Sequence, residues 1–326
     1  MSEVPMGSRD DVLAGGGTGG TTSSPMAFPI PAEELGAVSI VPNGSFEAGS
    51  YQTFVLTYVA GKFGIDDSGS MRVCFRFASD QTRPQFEDPK GPNYTTIEAS
   101  NNAVLTYHYD PKGNVRPWDR TLYIKVVRGF LREGDKITIT FGDRSGGSPG
   151  MRLQTFCEDS YEFHTLIDPI ATYCYQPMPV QPVIKIIPGK PDRYLAVAPT
   201  IRAIGESFSI KFKGEDKWGN PSDQCDIKLY PRASHPVKNL PDMISLKPGE
   251  FFGVIDGLSV ADAADLHIDF LDDAGALMCR TNPLRIEYAP LSRHFCGALQ
   301  GQSEESMCTG SASASFSFAR DYAFVD

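Results

Sequence analysis

The chain has 326 residues, of which 41% are hydrophobic and 21% are charged, and its formal net charge is −10 at pH 7. This composition indicates a soluble globular protein with apolar material for two ordinary domains. The negative charge, with no basic cluster to offset it, argues against nucleic acid as a partner. No apolar run approaches the roughly 18 residues of a membrane helix, and the acidic start lacks the features of a signal peptide, so we expect a cytoplasmic location without membrane contact.

Residues 1–35 are rich in Gly, Ser, Thr and Pro. Such a segment cannot bury enough apolar surface to offset the entropy lost on ordering, so we expect a disordered tail. Gly15, Gly17 and Gly20 match the spacing of a dinucleotide-binding loop. Because no strand precedes these glycines and no amphipathic helix follows them, we interpret them as part of the tail.

Residues 36–175 show a hydrophobic pattern with a period of two, interrupted by clusters of turn residues. The runs with this pattern are Tyr51–Tyr58, Met71–Phe77, Ala103–Tyr109, Thr121–Val127 and Lys136–Phe141. The spacing leaves little room for crossover helices, so the sheets must cover one another. The pattern therefore predicts an antiparallel β-sandwich domain over 36–175.

The glycine-rich loop Asp143–Gly150 is the first candidate binding element. Part of it fits the nucleophile elbow G-x-S-x-G, but Pro149 follows the serine and has no N–H to donate to an oxyanion, which excludes that role. Two interpretations remain. Either the loop exposes backbone amides and Arg144 to an anion, or a pairing of Asp143 with Arg144 holds the loop closed.

Four more side chains are candidates for binding. Gln154 and Glu158 follow the loop and either line the same mouth or belong to a solvated turn. Arg116 and Trp118 place a cation beside an aromatic ring, as a sugar or peptide site would, although packing of arginine on tryptophan explains the pair as well.

The histidines and cysteines predict no catalytic or metal site. The five histidines do not cluster, and none of the seven cysteines forms a C-x-x-C pair. This spacing excludes a zinc ribbon and disfavours a disulfide framework. Whether Cys157 and Cys174 approach each other stays open.

The proline-rich stretch 176–182 predicts an extended linker. A second β-sandwich of about 100 residues is predicted over 183–290. In it, Asp216–Pro221 predicts a tight turn that resembles the turn of bacterial Ig-like domains, and residues 261–265 predict one helical turn. The expected strands are Tyr194–Ala198, Phe208–Phe212, Cys225–Tyr230, Glu250–Val254, Leu266–Phe270 and Pro283–Tyr288.

The last stretch, 291–326, predicts one strand, one loop and one helix. Phe316, Ala319 and Ala323 recur at three- and four-residue steps, which is typical of one helix face. Such a βα unit needs a parallel neighbour strand, and the sequence stops where that strand would begin, at Phe324. We therefore expect a truncated domain, whose uncovered apolar side chains favour self-association through 291–326.

Two motifs in this stretch carry a family resemblance. Gly297–Glu305 reads Gly-Ala-Leu-Gln-Gly-Gln-Ser-Glu-Glu, and Phe316–Asp321 reads Phe-Ser-Phe-Ala-Arg-Asp. They resemble an uncharacterised-domain family, domain of unknown function 3604, of metal-dependent hydrolases of the PHP (polymerase and histidinol phosphatase) type. Its members carry Gly-Asp-Leu-His-Gly-Gln-Ser-Glu-Glu, followed by a helix like Phe-x-Phe-Ala-Arg-Asp. The resemblance extends over most of residues 45–290, where Asp143–Gly150 and Gln154–Asp159 are its most specific pieces.

The resemblance implies a divalent metal in full-length members, bound in part by the aspartate and histidine of the first motif. Here these positions hold Ala298 and Gln300, which cannot replace a carboxylate and an imidazole. Gln302, Glu304 and Glu305 remain as polar candidates for binding in this loop. The other metal ligands would come from barrel strands beyond residue 326, so we expect no metal or other cofactor in this chain.

The predicted fold class is mainly β, with two β-sandwich domains, the second Ig-like, followed by a single truncated βα unit of a PHP-like α/β barrel. The predicted function is that of the non-catalytic N-terminal β portion of a PHP-like metal-dependent hydrolase, which docks to the missing catalytic domain. The alternative is a ligand- or partner-binding β-sandwich module that uses the Asp143–Gly150 loop and the Arg116–Trp118 edge.

Overall fold

The structure, a computed structural model, describes residues 30–295, 297, 301, 303, 305 and 310–324. Within these residues the chain is mainly β with a single α-helix, as predicted. Two sets of buried apolar side chains, one ending at Ile186 and the other beginning at Ala196, divide it into two β domains. The predicted tail lies mostly outside the described residues, but its boundary at 35 is wrong, because Ile30 and Leu35 are buried in the first core.

The first domain is built from two main sheets. Its strands are β1 (Gly36–Val41), β2 (Ser45–Glu47), β3 (Tyr51–Gln52), β4 (Phe54–Ala60), β5 (Ser70–Phe75), β6 (Thr95–Ala99), β7 (Val104–Asp110), β8 (Arg120–Arg128), β9 (Lys136–Phe141), β10 (Met151–Arg152), β11 (Glu158–Glu162), β12 (His164–Asp168), β13 (Gln176–Pro177) and β14 (Val183–Ile187). One main sheet has the order β1-β4-β9-β6 and the other the order β13-β12-β5-β8-β7. Two small sheets, β10-β3 and β11-β14-β2, complete the domain.

The period of two in the sequence gives each main sheet one apolar face. In β4, for example, Phe54, Leu56 and Tyr58 are fully buried, whereas the residues between them are partly exposed. The apolar faces meet where Phe75 of β5 packs edge-on against Phe141 of β9, with ring centroids 5.8 Å apart. Contacts of this kind between large aromatic side chains dominate the packing of the core.

The predicted linker at 176–182 and the predicted start of the second domain at 183 are both wrong. Gln176 and Pro177 form β13 beside β12, and Met178 is buried in the first core. Strand β14 pairs antiparallel with β11 and parallel with β2, and its Ile184 and Ile186 belong to the same core. The first domain therefore extends to residue 187, because the pairing partners of β14 lie far earlier in the chain.

The second domain has three sheets around its own core. Its strands are β15 (Arg193–Val197), β16 (Ile201–Ala203), β17 (Phe208–Glu215), β18 (Ile227–Ala233), β19 (Ile244–Leu246), β20 (Phe252–Leu258), β21 (Ala264–Leu266), β22 (Ile268–Leu271), β23 (Leu277–Arg280) and β24 (Leu284–Glu287). The sheet orders are β15-β17-β20, β16-β24-β21 and β19-β18-β22-β23. The predicted helical turn at 261–265 is wrong, because Ala264–Leu266 is strand β21, paired with β24.

The turn after β17 is held by one buried carboxylate. Asp216 Oδ1 accepts hydrogen bonds from the backbone N–H groups of Trp218 and Asn220, both at 2.9 Å. Asp216 Oδ2 accepts from the Asn220 side-chain amide at 2.9 Å and from the Gly189 N–H at 3.1 Å. Since Gly189 lies just after the first domain, the carboxylate fixes both the turn and the segment that enters the second domain.

The same turn contacts the first domain. The Asn220 side-chain amide donates to the Thr155 carbonyl at 2.9 Å, and its oxygen accepts from the Cys157 N–H at 3.2 Å. The Trp218 indole N–H donates to the Ala48 carbonyl at 3.0 Å. A side chain at Gly49 would come within 2.6 Å of this indole, so glycine is required for the close approach. We call this set of contacts the domain joint.

The C-terminal segment lies on the second domain. The helix α1 (Ala312–Asp321) forms where the sequence predicts one, but Leu291–Phe295, the described part of the predicted strand, is not a strand. Lys211 and Lys213 of β17 donate to the Arg320 and Tyr322 carbonyls at 2.7 and 2.5 Å. Ammonium groups stabilise the carbonyl end of a helix, because its dipole is negative there.

We expect Asp216→Ala to lower the free energy of unfolding of the second domain by about 2–4 kcal/mol, because four donors lose a buried charged acceptor. Denaturant unfolding followed by the fluorescence of Trp218, in a Trp118→Phe background, measures this change. The control is Asp256→Ala, which removes an exposed carboxylate. Equal stabilities of the two variants would contradict the role given to Asp216.

We expect Phe324→Ala to lower the free energy of unfolding by about 1–2 kcal/mol, because most of the Phe324 ring is buried. Its exposed fraction is 7%, and the Lys213 ammonium lies 4.8 Å from the ring centroid. Phe316→Ala should change stability little, since Phe316 is 78% exposed. Thermal unfolding of both variants tests whether the C-terminal segment is docked on the second domain. If the segment is only loosely attached, the two substitutions should lower the stability by similar amounts.

Candidate functional site

The outer face of the five-stranded sheet carries polar and aromatic side chains. In β5 the side chains of Met71, Val73 and Phe75 point into the core, so those of Arg72 and Cys74 lie on the opposite face. The strand register extends this face sideways in rows. One row, from β12 to β7, is His164, Cys74, Thr121 and Asp110.

A cluster of five side chains lies at the end of this face, and we call it the Trp118 cluster. It consists of Arg76, Trp118, Gln154, Glu158 and His164. The Trp118 and His164 rings are stacked, with centroids 4.7 Å apart and planes inclined by 16°. The Arg76 guanidinium lies 5.9 Å from the Trp118 ring and 3.5 Å from the Glu158 carboxylate. Gln154 donates to the same carboxylate at 2.9 Å.

Backbone contacts between two loops position the cluster. The Phe77 N–H, just after β5, donates to the Pro117 carbonyl at 2.9 Å, which holds Arg76 next to Trp118. Arg116 is exposed; its guanidinium lies 5.0 Å from the Phe77 ring and 3.5 Å from Asp119. Arg116 therefore packs on Phe77, and Arg76 takes the place beside Trp118 that the predicted Arg116–Trp118 edge gives to Arg116.

The electrostatics of the cluster centre on Glu158. Burial raises the pKa of the Glu158 carboxyl, and the hydrogen bond from Gln154 and the charge of Arg76 oppose this shift. A second carboxylate, Glu162, lies 2.6 Å from His164 Nδ1. The cluster thus offers ring surface, one guanidinium, and amide and carboxylate groups. That set suits recognition of a ligand by stacking and hydrogen bonding.

In the Asp143–Gly150 loop, the side chains of Asp143 and Arg144 both form hydrogen bonds within the protein. Asp143 accepts from the Ser145 N–H at 2.8 Å and from the Thr96 hydroxyl at 3.0 Å, and these bonds lower its pKa. Arg144 donates to the Tyr51 carbonyl at 2.8 Å and forms no ion pair with Asp143. The predicted pairing of Asp143 with Arg144 is wrong, because each side chain finds a partner in another segment.

The remaining predicted residues do not join the Trp118 cluster. Gln302 and Glu304 lie outside the described residues, as do Ala298 and Gln300. Glu305 is exposed, and its N–H donates to the Ser303 hydroxyl at 3.3 Å. Among the described residues, no group of three or more His, Cys, Asp or Glu side chains is arranged to hold a metal ion.

Sequence reasoning missed Arg76, Glu162 and His164. The period of two could have placed Arg76 on the outer face with Arg72 and Cys74. The contact of His164 with Trp118 had no signal in the sequence, because it depends on the pairing of β12 with β5. Cys157 and Cys174, whose pairing was left open, are both free and exposed.

One open recess of about 370 Å³ lies elsewhere on the first domain, lined in part by Asn101, Phe130 and Arg132. Its polar groups bond to each other: the Asn101 amide donates to Asp135 at 2.8 Å and to the Phe130 carbonyl at 3.0 Å. Over the part of the chain that the structure describes, no helix has the length and apolarity needed to cross a membrane.

Comparison with protein-family models gives no match, and comparison with curated proteins gives none either. Among solved structures, the chain is similar to the Yersinia pseudotuberculosis adhesin InvE, with 9% identity and a TM-score of 0.23, over 77% of this chain and 58% of that one. It is also similar to the D00-D0 domain of intimin, with 10% identity and a TM-score of 0.28, over 77% of this chain and 100% of that one. Red sea bream transglutaminase gives 11% identity and a TM-score of 0.20, over 78% of this chain and 31% of that one. Scores this low carry no argument about fold or function.

The raised pKa of Glu158 predicts a pH dependence of stability. A carboxyl whose pKa rises on folding favours the folded state below its unfolded pKa, and this contribution is lost as the pH rises through the folded pKa. We therefore expect the free energy of unfolding of the wild type, relative to that of Glu158→Gln, to fall as the pH rises above about 4.3, the ordinary pKa of a glutamate. Urea unfolding at a series of pH values measures the difference.

Asp143→Asn is the matched comparison, since the pKa of Asp143 is lowered. Its contribution is present above the unfolded pKa and is lost as the pH falls through the folded pKa. The stability of the wild type relative to Asp143→Asn should therefore fall below about pH 4. The same slope for both variants would show that the environments of the two carboxyls are not as described.

Proposed function

We propose that this chain is a non-catalytic binding module whose ligand contacts the Trp118 cluster. The observation that carries the proposal is the stacking of Trp118 on His164 beside an arginine and carboxylate pair, at the end of the outer face of the five-stranded sheet. Aromatic rings next to a few converging polar groups are typical of ligand sites. We exclude the predicted loop at Asp143–Gly150 from the site, because the Asp143 and Arg144 side chains already form hydrogen bonds within the protein.

The ligand class that fits best is an uncharged, hydroxyl-bearing molecule such as a sugar unit. The Trp118 ring offers apolar surface to the C–H face of such a ligand. The Glu158 oxygens accept hydrogen bonds from hydroxyl groups, and Arg76 and Arg116 donate them. The mixture of donors and acceptors, without a dominant charge, favours a neutral ligand.

We further propose that the chain is the non-catalytic β portion of a PHP-like metal-dependent hydrolase, with an Ig-like second domain. Two observations support this proposal. A helix forms over Ala312–Asp321, where the family motif would place one. The Asp216–Pro221 turn is tight, and the N–H groups of Trp218 and Asn220 donate hydrogen bonds to the Asp216 carboxylate. On this proposal 291–326 is the first βα unit of the barrel. Through this segment the chain docks to the catalytic domain or associates with a second copy of itself.

Calorimetric titration of the protein with a panel of oligosaccharides tests the binding function, because its readout does not depend on a tryptophan. We expect saturable binding of some sugars, and loss of this binding in Trp118→Ala and Glu158→Ala. Arg144→Ala, in the loop left out of the site, should bind as the wild type does.

Binding of peptides but of no sugar, or sugar binding that survives Trp118→Ala, would contradict the proposed ligand and site. Titration with manganese and zinc, and an assay on a chromogenic phosphoester, form the second arm. We expect neither stoichiometric metal binding nor turnover, and either result would overturn the non-catalytic proposal.

A further inference from the structure

A second row of side chains on the outer face of the five-stranded sheet has a different character. From β12 to β7 this row is Leu166, Arg72, Tyr123 and His108. Opposite residues in adjacent antiparallel strands have Cβ atoms about 5 Å apart, so these side chains are direct neighbours. The His108 and Tyr123 rings are in contact, with centroids 5.2 Å apart.

Arg72 lies between two tyrosine rings. Its guanidinium carbon is 3.8 Å from the centroid of Tyr175 and 5.8 Å from that of Tyr123. Such contacts stabilise a guanidinium, but they leave its N–H groups without acceptors. Among the described residues, the Arg72 side chain makes one hydrogen bond, which is long, 3.4 Å from Nη1 to the Asn114 oxygen, and its buried Nε has no partner.

The positive charge of this row is not balanced by nearby carboxylates. Among the described residues, neither Arg72 nor Lys125, which lies on the same face two residues after Tyr123, forms an ion pair. Asp168, in the next row, is 1% exposed, and its two oxygens accept hydrogen bonds from Thr172 and from the Tyr173 N–H. A partly buried guanidinium in a chain of net charge −10 would ordinarily be paired.

Asp110, on the same face as Arg72, is occupied as well. Its Oδ1 accepts from the Lys112 N–H at 2.8 Å, within its own turn. The face also carries groups that can donate hydrogen bonds: the Lys125 ammonium, the His108 ring and the tyrosine hydroxyls. The Tyr175 hydroxyl is 2.7 Å from the Ser70 hydroxyl. Burial raises the pKa of Tyr175 to about 12, so its hydroxyl keeps its proton at neutral pH.

We propose that Arg72, Lys125 and His108, with the hydroxyls of Tyr123 and Tyr175, form a binding site for an oxyanion. The shared chemistry is a phosphate, sulfate or carboxylate group, because a guanidinium binds two oxygens of such a group at once. This site is separate from the Trp118 cluster.

Titration with inorganic sulfate, inorganic phosphate and acetate at constant ionic strength, followed by ¹⁵N–¹H NMR, tests the site. We expect saturable shifts of the Arg72 Nε–Hε resonance, which is assigned by its absence in Arg72→Gln. Arg72→Gln should weaken binding by at least about tenfold, through loss of a charge-assisted bidentate contact. Binding of acetate identifies a carboxylate ligand, and binding of phosphate or sulfate alone identifies an ester of one of those acids.

The matched control is Arg128→Gln, an exposed arginine at the end of β8, the strand that carries Tyr123. It should bind as the wild type does. Lys125→Gln gives a second variant on the site face, in case Arg72→Gln does not fold, and it should weaken binding as well. Shifts that stay linear in anion concentration, or affinities that are equal in the wild type and the folded site variants, would overturn the proposal.

Discussion

The carboxylate of Asp216 is the constraint on which the arrangement of the two domains depends. It accepts four hydrogen bonds while only 2% of the residue is exposed, so it satisfies donors of the segment 189–220 at a site that water scarcely reaches. Its bond to Asn220 aims that side chain at Thr155 and Cys157 of the first domain. One buried charge thereby sets a tight turn, the entry into the second domain and the contact between the domains.

The domain joint and the Trp118 cluster share a stretch of backbone. Gln154 and Glu158 face Arg76 and Trp118, while Thr155 and Cys157, between them, bond to Asn220. Alternation along the chain thus gives one short segment two neighbours, the Trp118 cluster on one side and the second domain on the other.

Charge is distributed unevenly over the protein. The chain is acidic overall, yet the outer face of the five-stranded sheet combines Arg72, Arg76 and Lys125 with tyrosine, tryptophan and histidine rings. At one end Arg76 is paired with Glu158, which leaves a mixed, nearly neutral set of groups. Among the described residues, neither Arg72 nor Lys125 in the next rows forms an ion pair. The two proposed sites therefore differ in whether a carboxylate pairs with the arginine.

The sequence alone determined the longer strands, their buried faces and the C-terminal helix, because these depend on local periodicity. The alternation in Thr121–Val127 places Leu122, Ile124 and Val126 in the core. The three- and four-residue steps between Phe316, Ala319 and Ala323 indicate a helix. The tertiary structure decided what depends on partners distant in the chain. Val183–Ile187 belongs to the first domain because β2 and β11 pair with it. Trp118 stacks on His164 because β12 pairs with β5. Asp143 and Arg144 do not form an ion pair, because Asp143 bonds to Thr96 and Arg144 bonds to Tyr51. Strand order and register carry no local signal, so they and the sites built on them appear only in the folded chain.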